Sequence, residues 1–202
     1  MKIICIGRNY LDHINELQNE VPEDPVIFLK PDTAILKNNE PFFYPDFSKE
    51  IHHEVEFIVK ISKEGKYIQE KFADKYYEEI GIGIDFTARD LQNKLKAKGL
   101  PWDIAKGFNG SAAISEFCFL ENKQIQNFQF SLSVNGEERQ NGSTSMMINN
   151  VNQIIAYASQ FFTLKKGDII FTGTPKGVSP VQIGDKIQAF LDGKMMLNFE
   201  IK

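Results

Sequence analysis

Cysteine and histidine are scarce in this chain, no apolar run is long, and neither sign of charge dominates. The 202 residues contain two cysteines, Cys5 and Cys118, which lie far apart and form no C-x-x-C spacing. They read as small buried apolar residues in a reducing compartment, not as a disulfide framework. No hydrophobic stretch approaches the length of a membrane span. The opening Met1 to Tyr10 meets Arg8 and Asn9 too soon for a signal peptide, so a cytoplasmic protein that does not engage a membrane is expected. The net charge is −4, and without a basic stripe there is no electrostatic case for nucleic acid. A G-x-S-x-G elbow is absent, which leaves a serine hydrolase without support. Also absent is G-x-x-x-x-G-K-[ST], and His53-Glu54 begins no zinc-protease motif because no histidine follows at helical spacing.

What is present fits one globular domain over residues 1–202. Hydrophobic residues make up 42% and charged residues 25%, proportions from which a real core can be built without staples. Ile3-Ile4-Cys5-Ile6 ending in Gly7 reads as a buried strand, and Leu11, Ile14 and Leu17 carry helical spacing. Val21 to Pro25 is a loop, Val26 to Leu29 a short strand, and Glu40 to Pro45 an irregular segment with edge-strand character. Ile51 to Val59 is a continuous strand, and Ile80-Gly81-Ile82-Gly83-Ile84-Asp85 is an alternating strand that ends on an acid. Thr87 is placed to cap a helix from Ala88 to Lys98, stopped by Gly99 and Pro101. In the second half, Phe128 to Val134 leads through Asn135-Gly136, a strong hairpin signal, to Glu137 to Gln140. Asn150 or Asn152 caps a helix through Phe162 with an apolar stripe of Ile154, Ile155, Ala158, Phe161 and Phe162. Strands follow over Asp168 to Thr172, Lys186 to Leu191 and, after Asp192-Gly193, Lys194 to Ile201. Strands outnumber helices and few are joined by a helical crossover, so the expected class is α+β, a β-rich mixed-sheet roll with a few short helices.

The strand at Ile51 to Val59 carries the first chemical signal. Successive side chains of a strand alternate between faces, so Glu54 and Glu56 point the same way, roughly 6 to 7 Å apart. Like charges that close repel, and two explanations stand: a cation lies between them, or the face is wet. Asp85, at the end of another strand, offers a third carboxylate. Oxygen ligands of this kind suit Mg²⁺, Mn²⁺ or Ca²⁺ and would leave positions open for water and substrate. His52 and His53 adjoin the acids, with one expected to face away, so they support the site at most. His13 and Glu16 stand three apart on a helix, a base with its orienter or a surface pair. Arg89 and Lys106 could hold an anionic carboxylate, and Gln92 lies one helical turn beyond Arg89. Gly173-Thr174-Pro175-Lys176-Gly177 is not a phosphate loop, yet its amides and the Thr174 hydroxyl could cradle a carboxylate.

These stretches occur together in a familiar order. Gly7-Arg8-Asn9-Tyr10 with His13 and Glu16, His53-Glu54-Val55-Glu56, Asp85-Phe86-Thr87-Ala88-Arg89-Asp90, Leu100-Pro101-Trp102 with Ala105-Lys106, and Thr172-Gly173-Thr174-Pro175-Lys176-Gly177-Val178 resemble the fumarylacetoacetate hydrolase family over essentially the whole chain. The likeness is to its short members, of the acylpyruvate hydrolase and oxaloacetate decarboxylase type. It implies a Mg²⁺ or Mn²⁺ enzyme, usually a homodimer, acting on a small anionic 2-oxo acid. The implied metal ligands are Glu54, Glu56 and Asp85. His13 and Glu16, on a closing lid, and Lys106 are the implied catalytic groups; Arg8, Arg89, Gln92, Lys106 and Thr174 are the implied substrate contacts. The implied reaction is cleavage of a C–C bond, by acylpyruvate hydrolysis or oxaloacetate decarboxylation, through a metal-stabilised enolate. The alternative within the family is an isomerase or tautomerase of dicarboxylic 2-oxo acids. Gly107-Phe108-Asn109-Gly110 departs from the family pattern, which carries a serine after the lysine more often, and an effect on pocket shape or local flexibility is expected there.

Overall fold

The computed structural model describes residues 1–16, 18, 20–121, 125 and 127–202, so Leu17, expected on the first helical stripe, lies outside the described residues. The chain begins with β1 (Lys2–Gly7), α1 (Leu11–Glu16), β2 (Val26–Pro31), β3 (Ile35–Leu36), β4 (Ile51–His53), β5 (Val55–Ile61) and β6 (Tyr77–Asp85). It continues with β7 (Thr87–Ala88), α2 (Arg89–Lys96), α3 (Asp103–Lys106), β8 (Ala112–Ile114), β9 (Cys118–Phe119), β10 (Gln129–Val134) and β11 (Glu137–Ser143). Last come α4 (Val151–Phe161), β12 (Ile169–Phe171), β13 (Ser179–Pro180), β14 (Lys186–Leu191) and β15 (Lys194–Glu200).

A curled mixed sheet in the order β2-β1-β12-β5-β6-β8-β3, with β9 added beside β6, forms the centre. Sheets β11-β10-β14-β15 and β13-β4-β7 pack around it. The expected mixed-sheet α+β architecture is therefore present. Both faces of the central sheet are covered, and the strand periodicity shows how. Ile4 and Ile6 of β1, with Val55, Phe57, Val59 and Ile61 of β5, join the larger core. Ile3, Cys5 and Ile58 turn to the opposite face and pack with Phe171, Ile169 and Ala112. Burial on both faces explains why these strands read as near-continuous apolar runs.

In β6 the alternation has a steric cause. Ile80, Ile82 and Ile84 enter the larger core, while Gly81, Gly83 and Asp85 face the other way. A Cβ on Gly83 would come within 2.4 Å of the Phe171 ring and 2.9 Å of Ile58. Glycine therefore lets β6 and β5 lie close under Phe171, and this brings Asp85 at the strand end level with the acids of β5. The register agrees, with Glu56 opposite Gly83 and Val55 opposite Ile84.

Several local expectations are corrected. Ile51 to Val59 is not one strand: pairing breaks at Glu54, with β4 in the small sheet and β5 in the central one. Thr87 does not cap α2; its hydroxyl donates to the Asp85 carbonyl at 3.3 Å, and Ala88 occupies the cap position without a side-chain bond. Glu40 to Pro45 is irregular with edge-strand character, as expected, bridging Phe42 to Ile201 beyond β15. Cys118 is half-buried. Asn150, not Asn152, caps α4, in a reciprocal box with Gln153 (3.0 and 2.9 Å). The stripe of α4 is Val151, Ile154, Ile155 and Ala158, whereas Phe161 is exposed. The Asn135-Gly136 turn has φ of 54° and 84°, the left-handed pair a tight hairpin requires. Phe108, in the departing segment, packs its ring on Phe42 and Phe47 and contributes nothing to the cavity wall described below.

Replacing Gly83 with Ala is expected to destabilise the chain by about 1–3 kcal/mol through overpacking. Urea unfolding would measure it, and Phe171→Leu in the same background should recover part of the loss.

Candidate active site

At the broken end of β5 the chain gathers its acids. Glu54 sits in the break, Glu56 two residues on, and Asp85 at the end of β6, all nearly inaccessible to solvent. One carboxylate oxygen from each lies within 4.8 Å of the others, the spacing of a site that could hold a metal ion. The wet-face explanation of the Glu54 and Glu56 pair is thus removed. Packing them together leaves three like charges in a poorly solvated interior, which is costly unless cations intervene.

Three basic side chains do. Lys106, delivered by α3, places Nζ 2.8 Å from Glu54 Oε2, 2.7 Å from Asp85 Oδ2 and 2.6 Å from the Thr87 hydroxyl. Arg89, at the start of α2, pairs with Glu54 Oε1 and donates to Gln92 Oε1 at 2.5 Å. Lys30, on β2, lies 2.8 Å from Asp85 Oδ1. That last contact is between charges without hydrogen-bond alignment, and Asp85 Oδ1 keeps an unmatched buried lone pair. Burial would raise the Glu54 pKa, but Lys106 and Arg89 outweigh it and hold the carboxyl well below the usual range. Lys106 is held up in the same way, burial being overcome by Asp85 and Glu54. Glu56 behaves in the opposite sense. Burial, then the charges of Asp85 and Glu54, push it well above the ordinary value, and among the described residues it has no salt bridge. Its described support is the Gly173 amide, which donates to Oε2 at 2.6 Å.

The buried oxygens fit a hard divalent cation. The donor set is all carboxylate, Glu56 lacks an ion pair, and Asp85 carries an unmatched lone pair, so an ion placed among them would relieve each deficit.

The amides of the glycine-rich segment after β12 do cradle carboxylates, those of the protein itself. Gly173 serves Glu56, and Gly177 donates to Glu16 Oε1 at 2.9 Å. Both need glycine: their φ values are 101° and 97°, and a Cβ would approach Asn9 Cβ to 2.8 Å at Gly173 and the Arg139 carbonyl to 2.0 Å at Gly177. The Thr174 hydroxyl lines the cavity, but it donates to the Val55 carbonyl at 2.8 Å and accepts from Gln140 Nε2 at 2.8 Å.

His13 reaches the same cavity from α1. It is buried, not on a surface helix face, and its Nδ1 lies 3.3 Å from Glu16 Oε2. With Nδ1 turned to the carboxylate, Nε2 is the basic atom. Burial lowers its pKa below the ordinary value against the opposing pull of Glu54 and Glu16, so the neutral form persists into mildly acidic solution. The corner before α1 is tied by Asn9, whose side chain donates to the carbonyls of Asn149 (2.9 Å) and Thr172 (2.8 Å) and accepts from the Asn149 amide (2.8 Å). Asp12 of α1 also meets Lys176 at 3.0 Å. Arg8 has φ of 58°, a conformation rare for a residue with a Cβ, and its side chain lines the cavity with Arg89, Gln92, Lys96 and Trp102. The free space is about 40 Å³, enough for an ion and water.

His53 proves structural. It lies outside the cavity wall, with Nδ1 2.9 Å from Gln140 Oε1 and Nε2 2.8 Å from Ser179 Oγ. Burial lowers its pKa to about 4. His52 contacts Glu50 at 2.9 Å and approaches Arg89 Nε at 3.5 Å. Three residues that the motifs did not single out prove central. Lys30 reads in sequence as the end of an ordinary strand, although its i−2 neighbour Phe28 also faces the site. Gln140 joins His53, Val55 and Thr174. Asn9 lay inside a quoted motif without an assigned task.

Comparison with known proteins bears on this arrangement directly. The model of the fumarylacetoacetate (FAA) hydrolase C-terminal domain matches residues 2–202. The chain belongs to the fumarylacetoacetate hydrolase family. It is 43% identical over 201 residues to the bovine mitochondrial oxaloacetate tautomerase FAHD1, covering 99% of this chain and 91% of that protein. To the oxaloacetate tautomerase YcgM of Escherichia coli it is 43% identical over 194 residues, covering 95% and 89%. Among solved structures, fumarylpyruvate hydrolase from Pseudomonas aeruginosa in complex with Mn²⁺ and pyruvate superposes with a TM-score of 0.94 at 32% identity, covering all of this chain and 89% of that one. The 2-hydroxyhepta-2,4-diene-1,7-dioate isomerase of Mycobacterium marinum gives 0.86 at 32%, covering 99% and 73%. Among the described residues, no helix is long and apolar enough to cross a membrane.

The His53 environment sets a pH dependence of stability. Between its ordinary pKa of 6.5 and the folded value of about 4, the unfolded chain takes up a proton that the folded one refuses. Stability therefore falls as pH drops through that window, by up to about 3 kcal/mol from this group. Chemical unfolding of His53→Gln beside the parent, from pH 4 to 7.5, should show a difference profile flat above 6.5 and changing below it.

Proposed function

We propose that this protein is a divalent-cation-dependent enzyme that enolises a small dicarboxylic 2-oxo acid, with keto–enol tautomerisation of oxaloacetate as its main reaction. The observation that carries this reading is the meeting of the acidic trio and His13 in the wall of one small cavity. Two relatives at 43% identity are named oxaloacetate tautomerases, which favours tautomerisation over the cleavage reactions that the motifs first brought forward.

Glu54, Glu56 and Asp85 would hold Mg²⁺ or Mn²⁺. When bound, such an ion supplies positive charge beside the 2-oxo acid and so favours the enolate over the ketone. The rest falls to this chain's side chains. His13, neutral and oriented by Glu16, takes a proton from C3 through Nε2; the C3–H electrons become the C2–C3 double bond, and the carbonyl electrons move to the C2 oxygen. The same imidazolium returns the proton, to that oxygen to give the enol or back to C3 to restore the ketone. Glu16 stabilises the charged imidazole through its contact with Nδ1, while Gly177 keeps Glu16 in place. Arg8, Arg89, Gln92, Lys106 and Thr174 line the volume the substrate enters, and Arg8 and Arg89 supply positive charge for its carboxylates. Exclusion of bulk water preserves the strength of those contacts.

A second reading is hydrolytic cleavage of an acylpyruvate. It is favoured by the close superposition on a fumarylpyruvate hydrolase that holds Mn²⁺ and pyruvate. In that reaction His13 would activate water in place of C3–H. Decarboxylation of oxaloacetate needs neither role, since the departing CO₂ leaves its electron pair behind.

Glu56→Gln is expected to abolish Mn²⁺ binding seen by titration calorimetry, together with cation-dependent tautomerisation followed by enol absorbance. Unchanged binding in that variant would overturn the cation site. His13→Ala should slow tautomerisation by about 10²–10⁴-fold and cost decarboxylation far less; equal losses would remove His13 as the base. Product analysis by NMR with acetylpyruvate decides the second reading, since only hydrolysis releases acetate.

A further inference from the structure

Lys30 is a buried cation that does not line the cavity, so it has no route to substrate. Yet its ammonium is the most heavily engaged on that side of the site. It lies 2.8 Å from Asp85 Oδ1, 2.9 Å from Ser111 Oγ and 3.0 Å from the Ser111 carbonyl, and it donates to the Lys106 carbonyl. Ser111 Oγ in turn donates to that carbonyl at 2.7 Å. One side chain on β2 therefore grips a carboxylate on β6 and the backbone at the end of α3. Beyond them the contacts continue: Lys106 Nζ bridges Asp85 Oδ2 and Glu54 Oε2, and Arg89 pairs with Glu54 Oε1.

The surroundings make stability a poor explanation. Lys30 stands opposite Ile3 in the strand register, beside the apolar cluster of Ile3, Cys5, Ala34, Ala112 and Phe28. Replacing a buried ion pair as a whole by apolar side chains is often neutral or stabilising, whereas an apolar residue at position 30 alone would strand the Asp85 carboxylate. The lysine is there because Asp85 has to stay charged. What an apolar residue could not supply is direction. A carboxylate at a strand end rotates about its own bonds, and α3 is only four residues long, too short to hold its own last residue firmly.

We infer that Lys30 is the positioning residue of this site: by pairing with Asp85 and donating to the Lys106 carbonyl together, it anchors the Asp85 carboxylate beside Glu54 and Glu56 and fixes the point from which Lys106 reaches Asp85 and Glu54. This rests on the cation reading of the acidic trio. Ser111 is the second part of the device, the acceptor that fixes where the ammonium sits.

The test uses the whole chain and Mn²⁺ alone. Lys30→Met is expected to weaken Mn²⁺ binding about tenfold or more, as loss of a partner behind a ligand does, and to raise the water-proton relaxivity of the bound ion because water replaces a misaligned carboxylate. Lys30→Gln, which keeps a donor for Asp85, should recover part of both. A folded Lys30→Met with parental affinity and relaxivity overturns the role. Should Lys30→Met fail to fold, Ser111→Ala decides: altered relaxivity in a chain of parental melting temperature supports the role, and parental relaxivity overturns it. Parent protein that binds no Mn²⁺ would overturn the cation reading, and this role with it; parental binding with unaffected variants overturns the role alone.

Discussion

Three carboxylates held within 4.8 Å of one another inside a protein repel strongly, because little water remains to screen them. Much of the surrounding structure answers that repulsion. Lys106 and Arg89 hold Glu54 well below its usual pKa, Lys30 and Lys106 flank Asp85, and Gly173 lends an amide to Glu56. The answer is unequal. Glu54 is fully compensated, whereas Glu56 is left with one amide and a raised pKa, and Asp85 with an unmatched lone pair. A site satisfied at one corner and deficient at two is shaped to receive a further positive charge.

Getting those acids together demands features that look like defects in an ordinary sheet. The strand breaks at Glu54, so that its side chain can share a cavity with Glu56. Glycines replace larger residues on one face of β6 so that Phe171 can lie against the backbone. The loop after β12 takes left-handed turns at Gly173 and Gly177, each under close contact, and presents amides inward. One loop thereby serves two carboxylates, Glu56 among the acids and Glu16 beside His13, and ties the position of His13 to that of the acids.

Membership of the fumarylacetoacetate hydrolase family places this arrangement among enzymes named as tautomerases, hydrolases and isomerases. His13 lines the cavity with Nδ1 turned to Glu16. Phe108, in the segment that departs from the family pattern, meets Phe42 and Phe47 edge-on, away from the cavity.

The linear order of residues determined much of this protein. Strand alternation in β1, β5 and β6, the Asn135-Gly136 hairpin and the Asn150 cap are local effects of backbone sterics and hydrogen bonding, and they need no distant partner to be read. Spaced acids and the His13 and Glu16 pair were legible for the same reason, since strand and helix geometry place i, i+2 and i, i+3 neighbours together. Tertiary structure decided the rest. Whether Glu54 and Glu56 faced water or an enclosed site depended on β6, α2 and α3 arriving from elsewhere. Thr87 left its expected cap because Lys106 and the Asp85 carbonyl offered its hydroxyl other partners, and His53 became a scaffold residue because Gln140 and Ser179, remote in sequence, enclose it. Lys30 was invisible as a participant because a lysine at a strand end is ordinarily solvated, and only the closing of β2 over β6 and the end of α3 removes its water and leaves it Asp85, the Ser111 hydroxyl and the carbonyls of Phe86, Lys106 and Ser111 in exchange.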